Sequence, residues 1–311
     1  MIQALTLLGA LGMFLYGMNL MSAGLQKAAG GKMRSFLTAM TSNPFKGVMS
    51  GLGITAVIQS SSATTVMTVG FVNAGLLTLS QAVGVIMGAN IGTTITGILV
   101  ALKNDYFNML MYLLAFAGVM MGFFKQEKIK IAGTLCSGLG LIFVGLNIMS
   151  SEQAFGNPLV EEMFTNIFKV IDFPLLLIIV GIIFTALIQS SSAATGNVIT
   201  MVGAGVLELD LALFIVMGAN IGTCVTALLA SIGGSANAKR VTLIHFTFNI
   251  IGTVFFLLAY AMYAEVLREN AYLSRTIEVQ EDQKVIDTGL YGIVRHPMYS
   301  ATLFLFISMG F

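Results

Sequence analysis

Apolar residues run along this chain in long blocks separated by short charged or polar segments. Six blocks, at residues 4–25, 83–102, 107–124, 131–150, 212–232 and 241–264, approach the ~20 residues a helix needs to cross ~30 Å of hydrocarbon. Two more, 48–79 and 173–207, are too long for one span, and each carries Gln-Ser-Ser-Ser near its middle, at Gln59–Ser62 and Gln189–Ser192. Half of such a block is only about 12–16 residues, which suits a re-entrant hairpin that enters and leaves by the same side. Non-helical backbone at that depth is tolerated only where it faces protein or a wet cavity. The alternative is one long tilted helix with a polar waist, far longer than tilt requires.

The pattern repeats. TAVIQSSSATT at Thr55–Thr65 returns as TALIQSSSAAT at Thr185–Thr195, and GVIMGANIGTTIT at Gly84–Thr96 returns as FIVMGANIGTCVT at Phe214–Thr226, both 130 residues on. A weaker echo links Gly12–Ser22 to Gly140–Ser150. Matched blocks in the same order indicate duplication, with one repeat over residues 1–125, a second over 131–255 and a tail over 264–311.

Positive charge in cytoplasmic loops orients the spans. With the first helix ending inside, Lys27, Lys32, Arg34 and Lys46 lie inside, and a hairpin returns Thr78–Gln81 to the same side. Two crossings later Lys125, Lys128 and Lys130 are inside again. Glu152, Glu161, Glu162 and Asp172, with the single Lys169, then face outward, as do Glu208 and Asp210, and Lys239 and Arg240 return inside. Full crossings at the two QSSS blocks would instead split the basic clusters between sides. Each repeat thus has three crossings and a hairpin, and an odd number of crossings inverts the second copy, the plan of secondary transporters.

Composition agrees with this class. Of 311 residues, 57% are hydrophobic and 9% charged, and the mean hydropathy is +0.91, against about 25% charged residues in a soluble domain. A net charge of +1 leaves no basic footprint for nucleic acid. Trp is absent, so any interfacial aromatic belt falls to Tyr and Phe. Cys136 and Cys224 sit in apolar runs without metal-ligand spacing and read as small buried hydrophobes. The N-terminal block lacks a basic n-region and is too long for a signal peptide, so it reads as the first span. His245, one turn before Asn249, reads as a satisfied interfacial residue rather than a proton relay, and the 20 Met as packing.

No Asp, Glu, Lys, Arg or His occurs in 47–102, 173–207 or 211–238, so any site there is built from hydroxyls, amides and backbone. The half-helix N-terminus after each QSSS presents free N–H groups and a positive dipole end to an anion. The half-helix C-terminus before it presents carbonyls to a cation such as Na⁺. An anion held without Arg or Lys needs co-bound cations. Against 100 mV, negative inside, a dianion meets about 4.6 kcal/mol, which two Na⁺ cancel and a third reverses. The NIGT segments, Asn90–Thr93 and Asn220–Thr223, begin the helices after each hairpin and offer Asn and Thr oxygens to a cation or to the hairpin tip. Close helix packing by small residues is the structural alternative for NIGT, and a Ser-rich helix contact for QSSS.

The doubled QSSS with trailing GANIGT resembles the type II sodium-dependent phosphate cotransporters and their bacterial relatives over residues 1–255. The resemblance implies that Gln59, Ser60, Ser61, Ser62, Gln189, Ser190, Ser191 and Ser192 line the phosphate site. It places sodium near Thr55, Thr64, Asn90, Thr93, Thr185, Thr195, Asn220 and Thr223. Sodium serves as coupling ion, with no organic cofactor.

The text changes after residue 260. A charge-rich stretch with Arg268, Glu269, Arg275, Glu278, Glu281, Asp282 and Lys284 leads into DTGLYGIVRHPMYSATLFLF. This resembles a fragment of the isoprenylcysteine carboxyl methyltransferase and phospholipid methyltransferase family, with Arg295 and His296 at positions that contribute to an S-adenosylmethionine site. The chain stops at Phe311 before the rest of that site, and the span count puts Arg295 and His296 outside, away from the cofactor. A junction near 255–265, a degraded regulatory tail and an amphipathic surface tail are the accounts left open.

The expectation is an all-α integral membrane protein of two inverted-topology repeats, multi-pass in the plasma membrane. It is read as a sodium-coupled phosphate symporter and not an enzyme. Its partners are phosphate, Na⁺ and the lipid bilayer, without nucleic acid, and a homodimer is compatible with the sequence. The rivals are a symporter of another small anion, a membrane methyltransferase, and a channel, which lacks the expected charged rings.

Overall fold

The computed structural model describes residues 2–29, 43–101, 105–151, 153–155, 157–159, 162–163, 166, 173–270, 287–294 and 296–309. Lys32, Arg34, Glu152, Glu161, Lys169, Asp172, Arg275, Glu278, Glu281, Asp282, Lys284 and Arg295 lie outside the described residues. Among the described residues every regular element is helical.

Helix α1 (Ile2–Ala29) packs along α7 (Glu127–Ser150), and α6 (Asp105–Gly122) covers another side of α7. Phe14, Phe143, Leu146 and Met149 are fully buried in the core these helices share. Two series of shorter helices accompany them. The first is α2 (Pro44–Ile58), α3 (Ser61–Asn73), α4 (Leu79–Gly92) and α5 (Thr94–Ala101); the second is α8 (Pro174–Ile188), α9 (Ser191–Gly203), α10 (Leu209–Gly222) and α11 (Cys224–Ala230). Boundaries in the second series follow those in the first by 130 residues, apart from the end of α11. Helix α12 (Ala236–Glu269) follows.

Local chemistry sets the starts of these helices. The Asn43 side chain accepts a hydrogen bond from the Lys46 amide at 2.8 Å, and Pro44 supplies a first residue that needs no donor. Thr78 and Gln81 form a reciprocal capping box that starts α4 at Leu79, four residues before the apolar block was expected to become a span. This earlier start corrects the placement of NIGT: Asn90–Gly92 close α4 rather than open it, and Thr93 is the C-cap. The same holds for Asn220–Gly222 in α10 and Thr223.

Among the described residues, five helical stretches are long and apolar enough to cross a membrane: Ile2–Ala28, Leu79–Ala101, Glu127–Ser150, Leu209–Ala230 and Ala236–Glu269. The block at 107–124 forms α6, whose 18 residues give about 27 Å. Helices α2, α3, α8 and α9 have only 13–15 residues, about 20–23 Å each, and fall short of the hydrocarbon thickness.

Glycines let α2 lie directly on α4. A Cβ at Gly51 would overlap the Val85 carbonyl oxygen, and one at Gly88 would overlap that of Val48. The second series reproduces the contact between α8 and α10, Gly181 meeting the Ile215 carbonyl and Gly218 that of Ile178. Small residues of this kind drive helix association where lipid supplies no hydrophobic force. The two series also exchange contacts, α5 packing on α9 and α11 on α3.

Chain contacts divide the molecule into Met1–Phe246 and Thr247–Phe311. Within the second unit the Phe255 and Phe304 rings meet edge to face at 6.0 Å. Thr288 donates to the Glu269 carboxylate at 2.7 Å, and Asn270 donates to the Tyr291 hydroxyl at 2.8 Å. The 3₁₀ turn Gly289–Gly292 and α13 (Pro297–Met309) thus belong with the C-terminal part of α12.

Gly88→Val and Gly218→Val should each destabilise the protein by about 1–3 kcal/mol, because the added methyls must push two helix backbones apart. Thermal unfolding in detergent checks this, and an unchanged midpoint for either variant would contradict the packing.

Candidate functional site

Both expected hairpin tips are breaks in helix, and both are made the same way. Gln59 ends α2 at φ 54°, ψ 32°, and Gln189 ends α8 at φ 54°, ψ 28°. These are the only non-glycine residues at positive φ among the described residues. An L-residue with a long side chain costs energy in the left-handed region, so the helix ends there against intrinsic preference. Such strain persists only where the surroundings over-determine it, commonly at functional positions. The next residue restarts the chain: Ser60 accepts from the Ala63 amide at 3.1 Å, and Ser190 from the Ala193 amide at 3.2 Å. Each break therefore sets a helix C-terminus, with unsatisfied carbonyls, beside a helix N-terminus, with unsatisfied N–H groups.

The two breaks meet. The Ser62 hydroxyl donates to the Gln189 carbonyl at 3.3 Å across 127 residues of sequence. At the first break the chain folds back on itself, since the Thr55 hydroxyl donates to that of Thr64 at 2.9 Å although nine residues separate them. The Gln59 side-chain oxygen Oε1 accepts from Thr96 at 2.9 Å while its Nε2 donates to the Ala56 carbonyl at 2.6 Å, and the residue is only 6% exposed.

The second break has the same backbone and a different polar lining. Ala194 stands where Thr64 stands in the first series, so Thr185, the counterpart of Thr55, loses its hydroxyl partner. Thr185 Oγ1 and Thr223 Oγ1 are buried without a hydrogen bond among the described residues. They belong to one neighbourhood: the Thr185 Cβ lies 2.9 Å from where a Cβ at Gly222 would stand, next to Thr223. Thr226, the counterpart of Thr96, donates to the Thr223 carbonyl at 2.8 Å instead of to a glutamine, and Gln189 is exposed.

Ser61, Ser191 and Ser192 are buried and Ser60, Ser62 and Ser190 half-buried, all at the two breaks. Asn90 and Asn220 are half-buried at the ends of α4 and α10, Thr93 donates to the Ala89 carbonyl at 3.3 Å, and Thr195 is half-buried one turn into α9. Thr96 was not singled out from sequence, although Thr93–Thr96 and Thr223–Thr226 share their spacing within the duplicated blocks. His245 lies on α12, which begins at Ala236, and is fully buried against protein. Cys224 is buried, and Cys136 is only half-buried.

Among the described residues no cluster of His, Cys, Asp or Glu is suited to a transition metal. What the breaks offer is neutral oxygen, from hydroxyls and carbonyls, for a hard cation, and N–H and O–H donors for an anion.

Comparison with known proteins follows this geometry. Residues 13–151 and 153–276 match the model of the Na⁺/Pi-cotransporter family. The chain is 33% identical to the uncharacterized protein YqeW of Bacillus subtilis over 77% of its own length and 76% of that protein. It is 30% identical to the putative inorganic phosphate export protein YjbB of Escherichia coli K12 over 86% of its length, which is 49% of YjbB. It is 24% identical to the sodium-dependent phosphate transport protein 2A of rat over 79% of its length and 59% of that chain. The chain thus spans about three quarters of YqeW and only about half of YjbB. No solved structure matches it. The family match runs to residue 276, into the charge-rich stretch. The methyltransferase resemblance of the tail finds no support in it; His296 is exposed and Arg295 is outside the described residues. Matched over most of its length, the chain belongs to the Na⁺/Pi-cotransporter family, a family of transporters and not of enzymes.

Proposed function

We propose that the chain is a multi-pass plasma-membrane symporter that moves inorganic phosphate with Na⁺ by alternating access, its site lying between the two helix breaks. The observation that carries this reading is the hydrogen bond from Ser62 to the Gln189 carbonyl, which joins two left-handed glutamine breaks into one polar centre. The short helices on either side support reading 44–73 and 174–203 as re-entrant hairpins, and the odd crossing count supports inverted repeats.

In this mechanism the first-turn N–H groups of α3 and α9, with the serine hydroxyls at 60–62 and 190–192, hold the phosphate oxygens. The carbonyl ends of α2 and α8, with Thr and Asn oxygens, hold Na⁺. With no charged side chain within 47–102, 173–207 or 211–238, the cations are what make the phosphate charge bearable in low dielectric. The two buried hydroxyls without partners, Thr185 Oγ1 and Thr223 Oγ1, mark the vicinity of one cation. Each costs about 1–3 kcal/mol unsatisfied, and a bound ion removes that cost. Relatives are named both for sodium-dependent phosphate transport and for phosphate export. A symporter runs in whichever direction the combined gradients favour, so one site serves either flux.

Two outcomes follow. Gln59→Ala and Gln189→Ala should each reduce Na⁺-driven ³²P-phosphate flux in proteoliposomes by at least about 100-fold while leaving insertion intact, on the expectation that a preorganised donor contributes several kcal/mol. Near-normal flux in both would overturn the site.

Thr185→Val should leave thermal stability unchanged or higher in Na⁺-free buffer, since it removes an unsatisfied hydroxyl, and should raise the Na⁺ concentration for half-maximal stabilisation about tenfold. Thr55→Val, which breaks the bond to Thr64, should cost about 1 kcal/mol with or without Na⁺. Equal behaviour of the two variants would remove Thr185 from the cation site.

A further inference from the structure

The first unit carries a groove of about 380 Å³ between α8, α10, α11 and the start of α12. Ile182, Ile221, Val225, Leu228, Leu243 and Phe246 make its wall. Its two hydroxyls are already spent on backbone: Thr242 donates to the Ala227 carbonyl at 3.1 Å and Ser231 to the Leu228 carbonyl at 2.9 Å. A polar solute would therefore find almost nothing to bind inside. Lys239 is the one charged residue lining it; it is exposed and makes no ion pair among the described residues. Arg240 follows it.

We propose that this groove seats an anionic phospholipid, one acyl chain lying on the apolar wall and the headgroup phosphate on Lys239. Three features select that occupant. The groove opens sideways, because Leu228 and Leu243, two of its wall residues, are 55% and 62% exposed in a chain that spans a membrane. Its length fits within one leaflet: Lys239 to Phe246 is seven residues of α12, about 10 Å of helix, less than half of the ~30 Å hydrocarbon. Its charge lies at one end, where an unpaired Lys beside Arg240 complements a phosphodiester. In the proposed topology that end faces the cytoplasm, where anionic lipids concentrate, although the binding test does not depend on the topology. The groove also borders the transport machinery, since Ile221 lies between Asn220 and Gly222 and Cys224 follows Thr223. An acyl chain there would brace the bend between α10 and α11.

The test is lipid binding to the full chain in detergent, by native mass spectrometry and thermal shift, with dioleoylphosphatidylglycerol against dioleoylphosphatidylcholine. The wild type should prefer the anionic lipid about fivefold, the worth of one Lys near a charged headgroup. Lys239→Gln should reduce the preference to parity, and Lys239→Arg should keep it. Leu228→Trp, which fills the groove, should weaken both lipids. Equal binding of the two lipids by the wild type, or an undiminished preference in Lys239→Gln, would overturn the headgroup assignment. Undiminished binding of both lipids to Leu228→Trp would overturn the groove. Inorganic phosphate alone reproducing the lipid-induced shift would make this a soluble-anion site and overturn the lipid.

Discussion

A helix that stops leaves unsatisfied carbonyls on one side of the break and N–H groups on the other, and where these are buried away from water each needs a partner. Here the chain stops twice, at Gln59 and Gln189, each time in the left-handed region that a glutamine adopts only under constraint. The surrounding structure serves to hold those two interruptions. Glycine-lined contacts clamp α2 onto α4 and α8 onto α10, and Ser60 and Ser190 cap the restarting helices. The exchange of α5 and α11 between the two series brings the halves together where Ser62 reaches Gln189. What is a liability in an isolated helix becomes a pair of opposed partial charges, suited to an anion and to cations at once.

Similar backbones carry different side chains in the two halves. The first break is closed on itself, Thr55 with Thr64 and Gln59 with Thr96 and the Ala56 carbonyl. In the second, the replacement of a threonine by Ala194 leaves Thr185 buried and unpaired, with Thr223 in the same state. The two halves therefore differ in polar capacity, the second leaving two buried hydroxyls without partners among the described residues. The symmetry lies in the backbone and the differences in the side-chain hydrogen bonds.

Much of this was legible beforehand because the signals are physical and repeated. Blocks of about 20 apolar residues, an offset of 130 between identical motifs, and the side-keeping of Lys and Arg pointed to the helices and to their breaks. Helix phase was less legible. A capping box at Thr78 and Gln81 moved the start of α4, which turned NIGT from an opening into a close. Hydroxyl pairing could not be read at all, since whether Thr185 finds a partner depends on residue 194 only after the chain has folded back. The tail illustrates a different hazard: a short motif suggested a second family, while Thr288 and Tyr291 within it engage Glu269 and Asn270.

The central claim is that sodium and phosphate share one centre between the breaks, so each must change the affinity of the other by the same factor. The most direct measurement is the phosphate dissociation constant of the purified protein, by isothermal titration in NaCl and in equimolar KCl. The account predicts binding at least about tenfold tighter in Na⁺, with the reciprocal gain in apparent Na⁺ affinity at saturating phosphate. Equal phosphate affinity in the two salts, from folded protein, would contradict it.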